Sequence, residues 1–236
     1  MAEVRARPGI VIALLGAEST GKSDLAAQLA PALAQLTGWS TCWIPEYLRE
    51  WCDSTGRTPN IDEQAHIADT QAERIEAARL QHDLVVADTT PLMTAVYHQQ
   101  VFGDESLDAG ALTWQRRHCA LNLLTALDLP WLADGHQRDG PHVRAPVDGR
   151  VRTLLIQAGL PFVVISGQGQ ARLESALNAV APWLRTRRAP KAGLFSRLAE
   201  REAAQTPWTW SCDGCDQPEC EHAALQQRRA ALLQGA

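Results

Sequence analysis

From Gly16 to Ser23 the chain reads Gly-Ala-Glu-Ser-Thr-Gly-Lys-Ser. This is the Gly-x-x-x-x-Gly-Lys-Ser/Thr spacing of a phosphate-binding loop, and each part has a physical task. Glycines let backbone N–H groups turn inward around phosphate oxygens, and a helix starting at the lysine aims its positive dipole end at the same anion. Lys22 is expected to reach the β- and γ-phosphates, and the Ser23 hydroxyl to ligate Mg²⁺. The nucleotide-binding set read from this stretch is Gly16, Glu18, Ser19, Thr20, Gly21, Lys22, Ser23 and Asp24. The chain has only two lysines, Lys22 and Lys191, its other basic residues being arginines. A lysine here therefore points to a need for a compact, flexible charge.

Two acids stand where a γ-phosphate and an acceptor would meet. Asp88 ends the apolar run DLVVAD, where an acid lies near the metal and γ-phosphate in folds with this loop; an N-cap role for the next helix is the plainer alternative. Glu46 ends the second, short strand, in PEYLRE. A carboxylate there faces the crevice and could take the proton of an attacking hydroxyl, with Arg49 available for phosphate or substrate. The alternative is a solvated helix start made of Glu46, Arg49 and Glu50. Residues 131–152 are polar, carry Gly and Pro, and contain Arg138, Arg144, Arg150 and Arg152. They are expected to form a lid loop whose arginines stabilise transferred charge on closure.

Near the C-terminus, Cys212, Cys215, Cys220 and His222 form Cys-x-x-Cys-x-x-x-x-Cys-x-His. Three thiolates and an imidazole suit one structural Zn²⁺; redox-active thiols and an Fe–S cluster are the other readings. Asp213, Asp216, Glu219 and Glu221 around the ligands would repel phosphate, so a structural or partner-docking role is expected rather than nucleic-acid binding. Cys42, Cys52 and Cys119 sit among apolar residues and are expected as core thiols, and His66, His98 and His118 as structural.

The elements that would position these groups alternate. Continuous apolar runs at 9–15, 83–88 and 161–166, with shorter ones at 41–45 and 121–127, read as strands. Helical spacing covers 24–36, 62–82, 91–101, 109–119, 149–158 and 171–184, with Asp62 as a cap for the second. This alternation predicts a doubly wound α/β domain over 1–186, followed by a linker at 187–206 (composition shifts at RTRRAPKAG) and a Cys/His tail over 207–236. A chain of 236 residues with a net charge of -5 has no basic field for nucleic acid, no apolar run of bilayer length and no apolar leader, so a cytoplasmic protein is expected.

GAESTGKSDLAAQLA, PEYLREW, DLVVADTTPLMTAVY and LDLPWLADGHQR, in this order and spacing, resemble the ribosylnicotinamide kinase domain of NadR-type proteins, a P-loop kinase of the AAA-type ATPase group related to nucleoside kinases. The resemblance covers most of residues 9–184. It implies a five-stranded parallel sheet and ATP-dependent phosphorylation of nicotinamide riboside at its 5′-hydroxyl, a step of NAD salvage. By position it implies Glu46 and Tyr47 in the substrate pocket and Asp88 by Mg²⁺ and the acceptor hydroxyl. Trp131 and Asp134 would stand at the lid's root, and Arg138 and Arg144 in the lid. Nothing in the chain matches the His-x-Gly-His adenylyltransferase motif that NadR-type proteins often carry, so only the kinase step is expected. The reading from a different class is an NTP-hydrolysing regulatory switch that docks a partner through the zinc tail.

Overall fold

The computed structural model describes residues 8–132 and 140–185. Five parallel strands, β1 (Ile10–Leu15), β2 (Thr41–Ile44), β3 (Leu84–Asp88), β4 (Cys119–Thr125) and β5 (Phe162–Ile165), lie in the order β2-β3-β1-β4-β5. Among the described residues seven α-helices flank them: α1 (Lys22–Thr37), α2 (Tyr47–Thr55), α3 (Gln64–Gln81), α4 (Pro91–Phe102), α5 (Asp108–His118), α6 (Arg144–Gln157) and α7 (Gln170–Arg185). The expected α/β sandwich with a five-stranded parallel sheet is present.

β1 is fully buried from Val11 onward because the sheet is covered on both sides. Its side chains alternate between two layers, as the period of a strand dictates. Ile12 and Leu14 pack with Leu25, Leu29 and Leu33 of α1 and with Val180 and Leu184 of α7. Ala13 and Leu15 face Leu92 and Val96 of α4 and Val147, Val151 and Leu155 of α6. Each fully buried leucine contributes about 1.5–3 kcal/mol, so the sandwich holds the central strand firmly. β2 and β3 lie on one side of β1 and β4 and β5 on the other. The winding thus reverses at β1, and ligands of such sheets bind at the strand C-termini there. The register Leu14↔Asp88 sets Asp88 beside the strand end from which the phosphate loop departs.

Several boundaries differ from the sequence reading. Residues 47–55 form a helix, α2, with Glu46 at its N-cap position, so Glu46 lies past the end of β2 rather than on it. Asn60, not Asp62, caps the segment before α3: its side chain accepts the Glu63 N–H while Glu63 accepts the Asn60 N–H at 2.7 Å. Helix α6 begins at Arg144, five residues before the expected start. Pro146 is compatible with it, since first-turn N–H groups have no intrahelical partner to lose. Arg150 and Arg152 are therefore helical, Arg150 pairing with Glu105 at 2.9 Å and with Asp108, Arg152 with Asp148 at 2.6 Å. They do not stand in a lid loop.

The chain divides into two units, Met1–Ala189 and Pro190–Ala236; the second lies outside the described residues, as do the proposed linker, Cys212, Cys215, Cys220 and His222. Among the described residues no helix is long and apolar enough to cross a membrane.

Candidate active site

The phosphate loop is shaped by two backbone features. Gly16 has φ 144°, and a Cβ there would lie 2.2 Å from the Thr125 Oγ1; only glycine fits between β1 and β4. Gly21 has φ 72° and forms the left-handed cap from which α1 starts. Between them, the Thr20 hydroxyl donates to the Ala17 carbonyl at 2.7 Å and accepts from the Thr125 hydroxyl at 2.7 Å. Lys22 Nζ donates to the Ala17 carbonyl at 2.8 Å, so its ammonium is folded over the loop where phosphates would lie. Ser19 accepts the Leu132 N–H at 3.0 Å and donates to the Leu132 carbonyl at 2.8 Å, tying the segment after β4 to the loop.

A second buttress was invisible in the sequence. Arg172 of α7 is buried, and one guanidinium nitrogen donates to the Thr20 carbonyl at 2.8 Å and the Ala126 carbonyl at 3.2 Å. The other donates to Asp128 at 2.8 Å and to the Gly167 carbonyl at 2.6 Å. Burial pushes the Asp128 carboxyl up, but Arg172 and the Gly167 N–H outweigh it and hold it below the usual carboxylate range. Charge-assisted bonds of this kind are the stronger class. They join the loops after β4 and β5 to the phosphate loop.

Asp88 and Glu46 meet Lys22 at the strand ends. Asp88 is buried, bonded to the Ser23 hydroxyl, and its Oδ1 has no hydrogen-bond partner. Burial raises its carboxyl above the usual range, and Lys22 and Ser23 oppose that rise. Glu46 is raised as well, by burial first and by Asp88, against Lys22 and Arg49. Arg49 lies 3.6 Å from Glu46. One side chain holds the two acidic loops in place: Gln71, buried in α3, accepts the Tyr47 N–H at 2.7 Å and donates to the Pro45 carbonyl at 3.4 Å and the Thr89 carbonyl at 3.5 Å. Thr89, next to Asp88, has φ 69°, a conformation costly for a β-branched residue.

A cleft of about 390 Å³ joins Glu46 and Arg49 to the phosphate loop; Asp88, bonded to Ser23 behind it, is not among its lining residues. Glu18, Ser19, Thr20, Gly21, Lys22, Ser23 and Asp24 line one side, and Glu46, Arg49, Leu48, Pro59, Gln64 and Tyr97 are among those lining the other. The structure thus brings most of the sequence-predicted set to one place. Tyr47 does not line this cleft; its ring carries the Arg74 guanidinium 4.3 Å from the centroid and meets His66 edge-on. Arg144 is buried at the start of α6 and donates to the Leu129 carbonyl at 2.9 Å; neither it nor Trp131 lines the cleft. Asp134 and Arg138 lie outside the described residues. Gln71, Thr125 and Arg172 were missed because they act through partners distant in sequence, and Gln64 because no local pattern marks it.

Ser23 and Asp88 offer hard oxygen donors, one of them the unpartnered Oδ1, and this chemistry fits Mg²⁺, which commonly binds through one or two protein groups plus phosphates. Among the described residues no cluster of three or more His, Cys, Asp or Glu could hold a metal ion by protein ligands alone. His118 stacks on Trp114 at 4.9 Å and His98 contacts Asp104 at 3.2 Å, as structural histidines. Burial pushes the Cys42 thiol up to about 11 and raises Cys52 and Cys119 too, which makes them inert thiols.

A parallel sheet, a phosphate loop after its central strand and an acid at the neighbouring strand end define a P-loop nucleotide-binding domain. The profile of the AAA domain matches residues 11–172, and the chain belongs to that family. No curated protein matches the sequence. Among solved structures, it is similar to a NadR protein in complex with NAD and AMP-PNP, at 20% identity and TM-score 0.57 over 74% of this chain and 49% of that one. A NadR protein in complex with NR gives 20% identity and TM-score 0.60 over 74% and 51%. A deoxyadenosine kinase from M. mycoides with bound products gives 12% and 0.47 over 74% and 100%. The chain spans about half the length of the NadR chains it matches.

Proposed function

We propose that this protein is an ATP-dependent phosphotransferase that phosphorylates a hydroxyl of a nucleoside-type small molecule. The observation that carries the reading is the shared cleft: Glu46 lines it together with Lys22 and Ser23, and Leu48, Pro59 and Tyr97 add apolar wall that an acceptor could use. A water-activating switch needs no such acceptor wall.

In this reading the acceptor hydroxyl attacks the γ-phosphorus in line. The new P–O bond forms as the bond to the ADP oxygen breaks, and the hydroxyl proton passes to Glu46. Its raised affinity for protons suits a base that must collect one. Lys22 and the phosphate-loop N–H groups stabilise charge on the transferred group. Ser23 and Asp88 would hold Mg²⁺, which when bound neutralises phosphate oxygens. Arg49 would bind acceptor or phosphate; Asp134 and Arg138 are proposed for the segment that covers the site, with Trp131 at its root, Arg144 fixed beyond it at the start of α6 by the Leu129 carbonyl, and Tyr47 behind the acceptor side. Nicotinamide riboside is the acceptor proposed first. The support is the sequence resemblance and the NadR likeness, whose weight is for the fold.

The test is ADP release with and without a panel of nucleosides, nicotinamide riboside included. A nucleoside-dependent rise with a 5′-phosphorylated product is expected. ADP release unchanged by every nucleoside, with no product, would turn the reading to a hydrolytic switch.

For the tail, Cys212, Cys215, Cys220 and His222 are proposed to hold one structural Zn²⁺, forming a docking element for this chain or a protein partner in the cytoplasm. The support is ligand type and spacing. Freshly purified protein should carry about one equivalent of zinc and Cys215→Ser should lose it; a wild-type protein free of zinc would sink the site.

A further inference from the structure

Gln64 opens α3 and lines the acceptor side of the cleft. It is only 5% exposed, and its Oε1 is buried without a hydrogen-bond partner. Buried polar atoms are nearly always satisfied, so an orphan in a cleft wall marks a place where something else completes it. The turn that carries it is fixed in advance. Glu63, its neighbour, accepts from Asn60 N–H at 2.7 Å and from both Arg57 Nη atoms at 2.7 Å, and the Asn60 side chain closes the reciprocal capping bond. A side chain so anchored loses little freedom on binding. Around it, Tyr97, Pro59, Leu48 and Val101 give the cleft flat or apolar walls, while Glu46 lies across from the phosphate loop.

Resting on the phosphotransferase reading, we infer that Gln64 determines which acceptors are taken: its amide oxygen accepts a hydrogen bond from an N–H donor on the ring of the acceptor. The substrate class is a ribonucleoside whose ring carries an amide or amino group. A ring of the same shape without that donor leaves the buried oxygen unmatched, and sites built this way reject such analogues strongly. Val101 and Leu48 would then exclude water from the bond, and Glu46 would meet the ribose hydroxyl at the other end.

Matched acceptor pairs test this: nicotinamide riboside against unsubstituted pyridinium riboside, and adenosine against purine riboside. In wild type, kcat/KM for the better donor-bearing member should exceed that of its partner by at least about tenfold. In Gln64→Leu and the straight-chain Gln64→Met the ratio should fall towards one, with KM for ATP unchanged. Two variants guard against a folding defect in either, and melting curves identify one. Phosphorylation of both members at equal efficiency by wild type, or a ratio that survives in both variants, overturns the inference and leaves the kinase reading standing. If no acceptor is phosphorylated, the kinase reading fails, and binding of the same pairs in the presence of AMP-PNP decides the matter. Donor-selective binding lost in the variants supports Gln64's role; absent or non-selective binding overturns it.

Discussion

The phosphate side of the cleft and its acceptor side are built on opposite plans. On the phosphate side several polar groups are matched within the protein. Thr20 bridges Ala17 and Thr125, Ser19 bonds Leu132 both ways, and Arg172 fastens three loops. On the acceptor side the Gln64 Oε1 lacks a partner, as does one oxygen of Asp88, its Oδ1, at the neighbouring strand end, and Glu46 lies 3.6 Å from Arg49. A triphosphate is the same in every reaction of this kind, so its cradle can be finished in advance. Groups held unsatisfied and with raised proton affinity are those a ligand completes.

The comparison is broken most severely at Lys22. Lys22→Met removes the ammonium folded over the cradle, and ADP release should fall by about 10³-fold or more; a loss under tenfold would mean the ammonium is not at the transferred phosphate. Glu46→Gln comes next. It should lower kcat by about 10²–10⁴-fold with nucleotide affinity unchanged, measured by single-turnover rates and nucleotide titration. Because burial raises both Glu46 and Asp88, wild-type kcat should fall with decreasing pH from above the ordinary carboxylate range, the acidic limb belonging to the pair. Stability runs the other way. A raised carboxyl contributes stability that is present below its unfolded pKa and lost as pH rises through the folded one. Glu46→Gln should therefore melt higher than wild type at pH 8, with the gain shrinking towards pH 4. The smallest effect is expected at Thr125→Val, which keeps shape but deletes one buried bond of the finished side. That costs about 1 kcal/mol, or roughly 2–4 °C in Tm for a domain of this size. No change in Tm would show that the bridge to Thr20 is not needed.

Much of this was legible in the residues. The loop 16–23, β1 and β3 with Asp88 at its end announce themselves because a strand buried on both faces must be continuously apolar. What escaped depended on partners far along the chain. Helix α2 is short and polar, held by contacts such as Arg74–Glu50 at 3.0 Å, which no window of residues 47–55 contains. Pro146 reads as a loop residue, yet a helix tolerates Pro in its first turn, so α6 begins earlier than expected. Gln71, Arg172 and Thr125 are ordinary in sequence and acquire their meaning from partners up to 152 positions away.

Thr89 carries a consequence for anyone who would engineer this protein. A designer seeking robustness would replace a β-branched residue at φ 69° with glycine, and relieving that conformation is among the safer routes to a sturdier fold. Here the awkward backbone is the hinge pin beside Asp88, kept by Gln71 and by the Thr89 N–H on the Leu14 carbonyl at 3.2 Å. The exchange would trade aim for toughness: a protein that survives heat better and holds its acid less squarely. Hardiness and turnover would be selected against each other at one residue.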